Sequence, residues 1–296
     1  MTLSNGSDQE ALEYTLRYNP PMDLVVGERN LKEAKEILGQ LGLVYLLSSG
    51  TCLGATRDKA FILWDDDIDL LAILGVNALT DEAVAATAQA FRDRGYYVRE
   101  WDGAHSKNLQ MVKDHVRLGF EFMRIEDDHI HVYPGIRLPA NMFTQPKEIE
   151  FLGEKFLVPN PPEEYLRLKY GEDWMTPKKA GVYEKDVVEM VPGAELAGRP
   201  CRLRVLDLEG KPVSEAEVVL VGGGRSRTDH NGYAEVILPA PDCYSLTIRY
   251  PGHEQVLYME DMEPDKTYVY RADSASKAAS QASGAIGTLG NVLSRE

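Results

Sequence analysis

Three consecutive aspartates, Asp65-Asp66-Asp67, follow Trp64 and lead through Ile68 and Asp69 into the apolar pair Leu70-Leu71. Acids at the mouth of an apolar run are expensive, because a carboxylate at a core edge needs a partner to offset its lost hydration. A solvated acidic turn is the plainest reading of a charge run, but Trp64 and Ile68 interrupt this one with apolar side chains. On a strand, alternate residues share a face, so Asp67 and Asp69 project together with Asp65 roughly in line before them. Carboxylates gathered on one side repel one another unless a cation lies between them. Hard cations such as Mg²⁺ or Mn²⁺ take oxygen ligands, commonly one or two carboxylates plus substrate phosphates. Asp65, Asp67 and Asp69 are therefore candidate metal ligands and catalytic residues.

The segment just upstream fits a phosphate-bearing partner. Ser49-Gly50-Thr51 forms a turn of small and hydroxyl residues after the apolar stretch Val44 to Leu47, and its backbone N–H groups are expected to face phosphates. Cys52 to Arg57 reads as a short helix with its N-terminus toward the same point. Arg57, suited to bidentate recognition, is expected to contact donor phosphates. Lys59 is either a second such contact or a surface charge.

Composition narrows the partners. The chain has 296 residues, 44% of them hydrophobic, with a formal net charge of −15, which disfavours nucleic acid and anionic membranes over most of the surface. No apolar run approaches the roughly 20 residues needed to span a bilayer, and the first residues lack the basic and apolar regions of a secretion signal. The expectation is a cytoplasmic protein, at most peripheral at the inner membrane surface. Three cysteines, Cys52, Cys201 and Cys243, have no metal-type spacing, so reduced thiols are expected.

Along the chain, a helical pattern occupies the first residues up to Pro20-Pro21, and a second runs from Glu28 to Gly42. Strands are expected at 44–47, 67–73, 96–101, 109–113, 117–125 and 129–133, with Asp127-Asp128 turning between the last two. Thr80 caps a helix that ends at Gly95, and a long proline-punctuated segment precedes a helix at 163–170. Beyond about residue 197 the pattern changes to short alternating strands at 201–207, 217–221, 232–238, 244–250 and 267–270. The fold class expected is α/β (α+β) over 1–196, followed by a small all-β sandwich over 197–273. An Ala/Ser/Gly-rich tail, 274–296, is expected to be mobile or weakly helical.

Two patches carry a family resemblance. Gly50-Thr51-Cys52-Leu53-Gly54-Ala55-Thr56-Arg57 followed by Phe61-Ile62-Leu63-Trp64-Asp65-Asp66-Asp67-Ile68-Asp69 resembles the signature of the LicD and fukutin family. The second patch comprises Phe151-Leu152-Gly153, Phe156-Leu157-Val158-Pro159, Glu164-Tyr165-Leu166 and Tyr170-Gly171-Glu172-Asp173-Trp174. The resemblance implies a nucleotidyltransferase-like fold and transfer of a phospho-alcohol, such as phosphocholine or a polyol phosphate, from a CDP-linked donor. Asp58, Ala60 and Leu63 depart from the pattern peripherally. In His129-Ile130-His131-Val132, His131 takes the slot where such proteins often carry a further acid. Glu121, between Phe120 and Phe122, is the best substitute as a metal ligand, while His131 is itself a candidate base or ligand. Tyr170, Gly171 and Trp174 read as packing residues. The C-terminal module is similar to the transthyretin-like or carboxypeptidase-regulatory-like sandwich through Gly210-Lys211-Pro212-Val213 and Thr228-Asp229-His230-Asn231-Gly232-Tyr233.

Three functions follow as expectations. The first is a Mg²⁺-dependent transferase using a CDP-alcohol and a hydroxyl of a surface glycan or its lipid-linked precursor. The second is a nucleotidyltransferase using an NTP, and the third is a non-catalytic protein that binds a glycan or a protein partner.

Overall fold

The computed structural model describes residues 5–103, 105–179, 187–272, 287–288 and 292–296. Its internal contacts divide the chain into two compact units, Met1–Val132 with Arg137–Met175, and Tyr133–Ile136 with Thr176–Glu296. The division after Met175 lies some way before the composition change near residue 197.

The first unit is a mixed α/β body. Helix α1 (Asn5–Tyr18) sets Leu12 and Leu16 against Val112. Helix α2 (Leu24–Gln40) is capped by Asp23, whose carboxylate accepts from the N–H groups of Val25 and Val26, and it buries Leu31, Ala34, Ile37 and Leu38. Its central sheet holds β1 (Leu46–Leu47), β2 (Asp67–Ile73), β3 (Tyr97–Asp102), β4 (Ser106–Lys113) and β5 (Val116–Met123) in the order β1-β2-β5-β4-β3. All pairings are antiparallel except β2 with β5, which run parallel at the centre. A parallel pair needs a crossover, and here it is α4 (Asp81–Asp93), capped by Thr80, followed by the β3–β4 hairpin. The expected strand at 44–47 shortens to Leu46–Leu47, since only these two pair with β2, and Val44 is exposed.

Between β1 and β2, helix α3 (Ser49–Leu53) continues into a single π-helical turn at Gly54–Asp58. After β5 come β6 (His129–Val132), β7 (Ile136–Pro139) and α5 (Asn141–Thr144). The stretch read as a proline-punctuated connection instead contains the hairpin of β8 (Lys147–Phe151) and β9 (Glu154–Val158). Its two-residue turn places Leu152 and Gly153 at φ 51° and 76°, the conformation that hairpins favour. An apolar residue at the first turn position hides it from a search for Asn-Gly or Asp-Gly. Helix α6 (Pro162–Tyr170) follows, and buries Tyr165, Leu166 and Lys169.

The second unit is strand-rich, as its turns imply. One sheet contains β10 (Arg199–Leu206), β13 (Tyr233–Leu238) and β16 (Thr267–Arg271), while the other contains β11 (Glu217–Leu220), β12 (Arg225–Arg227), β14 (Asp242–Tyr250) and β15 (His253–Met262). Alternate residues, including Leu203, Val205, Val218, Leu220, Val236, Ile248 and Tyr270, form a common core. Strands β12 and β15 lie outside the expected set; the charged Arg225-Ser226-Arg227 and the mixed His253-Glu254-Gln255 masked them. In the tail, most residues lie outside those described. Of those described, Gly287–Thr288 pair with β15 and Ser294–Arg295 with β16. Their anchor is Glu260, whose carboxylate accepts from the N–H groups of Val292 (2.8 Å) and Leu293 (2.9 Å). The three cysteines form no disulfide, and burial pushes the Cys52 thiol up to about 12.

Candidate active site

The parallel pairing of β2 and β5 assembles the site. In its register Asp67 faces Arg117, Asp69 faces Gly119 and Leu71 faces Glu121. Paired residues share a face, so Asp67, Asp69, Arg117 and Glu121 project to one side of the sheet, while Ile68, Leu70 and Ala72 are buried on the other. Asp65 stands at the end of the preceding turn, where its main-chain oxygen accepts from the N–H of Met22 at 2.8 Å.

One carboxylate oxygen each from Asp65, Asp66 and Asp67 lies within 4.8 Å of the other two. Asp65 is buried, and its Oδ2 has no hydrogen-bond partner among the described residues. Burial, together with repulsion from Asp69, Asp67 and Asp66, holds the Asp65 carboxyl well above the ordinary carboxylate range. Asp66 and Asp67 are balanced by Arg117, a guanidinium buried to 1% exposure. Its Nε donates to Asp67 Oδ2 at 2.9 Å, its second terminal nitrogen pairs with Asp66, and the first donates to Asn19 Oδ1 at 3.1 Å. Burial works against that charge, and the two aspartates more than compensate, so Arg117 stays protonated.

Asp69 belongs to an adjoining group rather than to the trio. The N–H of Gly50 donates to Asp69 Oδ2 at 2.9 Å, and the N–H of Asp69 donates to Thr51 Oγ1 at 2.9 Å, which ties the turn to the strand. Burial and the neighbouring Asp67 raise the Asp69 carboxyl, while Lys169 opposes them and Glu121 adds to them. Lys169 is itself buried, with its Nζ donating to Ser49 Oγ at 2.8 Å. Burial lowers its affinity for a proton, and Glu121 and Asp69 raise it again. The N–H of Ser49 donates to the Tyr165 hydroxyl at 2.9 Å. Ser49, Gly50 and Thr51 thus form the first turn of α3 rather than a turn before it, two of their N–H groups are engaged within the protein, and they serve first to orient acids and a lysine.

Gly50 is required by this arrangement. A Cβ at that position would lie 2.8 Å from both carboxylate oxygens of Asp65. Counting Asp65, Asp66, Asp67, Asp69 and Glu121 against Arg117 and Lys169, five carboxylates meet two cationic groups. That excess of negative charge, with a partnerless buried oxygen at its centre, fits a divalent cation ligated by oxygen.

The remaining expected residues lie around this centre or apart from it. Arg57 is largely buried, held in a two-point contact by Asp58 (2.8 and 2.7 Å), and it donates to the Trp174 carbonyl at 3.3 Å. Lys59 is exposed, with its Nζ on the Thr56 carbonyl at 3.0 Å. His131 is drawn into a different cluster: its ring stacks on His105 with 4.2 Å between centroids, and its Nε2 lies 3.9 Å from Glu126. Burial and His105 hold His131 below the ordinary histidine range. Arg117, Asp66, Tyr165 and Lys169 are the site residues that the sequence reading did not single out. The i, i+4 spacing of Tyr165 and Lys169 on α6 carried a signal for the last two, whereas Arg117 had none until its partner strand is known.

The carboxylate-bearing β2 and the short helix α3 before it are consistent with a nucleotidyltransferase-like domain. Residues 42–161 match the model described as LicD/FKTN/FKRP, nucleotidyltransferase domain, so that domain is present in the chain. Among curated proteins, similarity extends to the ribitol-5-phosphate transferase FKTN of Macaca fascicularis and of Homo sapiens. Each is 27% identical over 179 residues, covering 55% of this chain and 36% of the relative. The Mus musculus protein is 26% identical over the same length. The chain therefore spans about a third of the length of these relatives. Among solved structures, ANT(2″)-Ia in complex with adenylyl-2″-tobramycin is 13% identical with a TM-score of 0.33, covering 45% of this chain and 68% of that one. A type II Cohesin-X-Dockerin complex from Acetivibrio cellulolyticus is 19% identical with a TM-score of 0.21, covering 24% and 52%. Superpositions this poor carry no weight below. No helix among the described residues is long and apolar enough to cross a membrane.

Proposed function

We propose that the first unit transfers a phospho-alcohol, of the polyol-phosphate or phosphocholine class, from a CDP-linked donor to a glycan hydroxyl. The observation that carries this reading is the convergence of Asp65, Asp66 and Asp67, with the Asp65 Oδ2 buried and partnerless, inside a LicD/FKTN/FKRP nucleotidyltransferase domain. The similarity to ribitol-5-phosphate transferases supports transfer of a phospho-alcohol.

In this reading Asp65 and Asp67 hold a Mg²⁺ or Mn²⁺ ion, with Asp66 and Asp69 completing the acidic wall and Glu121 beside Asp69. The chemistry a bound ion supplies is neutralisation of charge on the donor diphosphate as CMP departs. Arg117 pairs with Asp66 and Asp67 and fixes them, so that their oxygens are preorganised. Lys169 and Tyr165 hold Ser49, and with it the turn, against β2. Asp65 carries the oxygen left open for the ion, since Arg117 engages Asp66 and Asp67 and the Gly50 N–H engages Asp69.

The test incubates the purified chain and Mg²⁺ with a panel of CDP-alcohols and NTPs and follows CMP and pyrophosphate. Release of CMP that falls by at least about a hundredfold in Asp67→Ala supports the reading. Release of pyrophosphate instead assigns nucleotidyl transfer, and the absence of any nucleotide binding with either metal returns the chain to a non-catalytic glycan- or partner-binding role.

A further inference from the structure

The strand hairpin at the far end of β5 gathers a second set of donors. His105 immediately precedes β4, Glu126 closes the turn after β5, and His131 lies in β6. One ligand atom from each falls within 4.8 Å of the others. The backbone holds them there: the N–H of Arg124 donates to the His105 carbonyl at 2.9 Å, and Glu126 and His129 exchange N–H···O bonds of 2.8 and 2.9 Å across the Asp127-Asp128 turn. His105 Nδ1 lies 3.0 Å from Glu126 Oε1, and His131 Nε2 lies 3.9 Å from Glu126 Oε2. None of these residues belongs to the aspartate centre, and the proposed reaction uses none of them.

We propose that His105, Glu126 and His131 bind a divalent transition-metal ion, with Zn²⁺ the best match. Two imidazole nitrogens and one carboxylate oxygen suit Zn²⁺, Ni²⁺ or Cu²⁺ and not Mg²⁺, which prefers an all-oxygen shell. Metal–ligand bonds of about 2.0–2.2 Å put tetrahedral donors about 3.3 Å apart, between the two separations above. The rings of His105 and His131 lie nearly parallel, 14° apart, so their lone pairs do not yet converge. Loading therefore turns one ring about its χ2, and His105, at a strand end and 37% exposed, is the ring that turns. Three protein ligands leave at least one position open for water or a substrate oxygen, as in catalytic rather than closed structural sites.

The experiment uses the full chain, stripped with a chelator and titrated with Zn²⁺ by calorimetry in excess Mg²⁺, which occupies carboxylate-only sites. The expected result is one equivalent of Zn²⁺ whose affinity falls at least about tenfold in His105→Ala, in His131→Ala and in Glu126→Gln, and is unchanged in His230→Ala. X-ray absorption at the zinc edge of the wild-type chain should show two imidazoles with oxygen completing the shell, a readout that needs no variant to fold. Undiminished Zn²⁺ affinity in the His105→Ala/His131→Ala double variant, or a wild-type spectrum containing sulfur or lacking imidazole, overturns the proposal. These readouts are independent of CMP release, so this assignment and that of the transferase fail separately.

Discussion

Gly50 and Asp65 occupy the same small volume, and their contact governs how the turn meets the acids. Because a Cβ would approach both Asp65 oxygens to 2.8 Å, Gly50→Ala displaces a carboxylate that packing otherwise fixes. The expected outcome is a loss of about 1–3 kcal/mol in stability by urea unfolding, with donor turnover falling more than stability accounts for. At this scale the sequence was informative where chemistry repeats along one strand: the alternation of Asp67 and Asp69 was legible, and so was the glycine turn before them. Arg117 was not, although it neutralises two of the acids, because nothing in residues 65–69 says which distant strand will lie alongside them. A buried arginine reads as an ordinary surface charge until its carboxylates are found.

Among the elements, β15 shows how a carboxylate can anchor a strand. Glu260 is 1% exposed, and burial pushes its carboxyl up to about 8 against the pull of the N–H groups of Val292 and Leu293. A folded-state value above the unfolded one means that the folded protein holds the proton more tightly. This contribution to stability is complete below the ordinary glutamate range of about 4.5 and is lost as pH rises through about 8. Thermal unfolding of the wild type should therefore weaken relative to Glu260→Gln across that window, by at most about 1.4 kcal/mol per pH unit, and level off above it. A constant difference between the two proteins would refute the assignment. Elements with an uninterrupted pattern, such as α2, α4 and β2, were readable from periodicity. The β8–β9 hairpin and β15 were not, since an apolar turn residue hid one and alternating charge hid the other, and pairing partners rather than local preference made them strands.

For the molecule as a whole, the two units can be followed separately. All three tryptophans, Trp64, Trp101 and Trp174, lie in the first unit. Tryptophan fluorescence thus reports unfolding of that unit, while far-UV circular dichroism reports both. If the aspartates bind Mg²⁺, ion at about 100 times its dissociation constant adds about 2.7 kcal/mol to the first unit and raises its fluorescence midpoint by roughly 5–10 °C. The fluorescence midpoint of Asp65→Asn/Asp67→Asn should not respond to the ion, and an equal shift in that variant would remove the aspartates from the binding site. The sequence by itself determined the strand that carries Asp67 and Asp69, the turn that precedes it and the change to a strand-rich second unit, because each depends on residue types at short, fixed spacing. Only the tertiary structure decided that Arg117, Lys169 and Glu121 meet those acids and that His131 turns away to His105 and Glu126. Those contacts depend on the parallel register of β2 with β5 and on where α6 and β6 pack, and burial and charge pairing between separate elements leave no local periodicity to read.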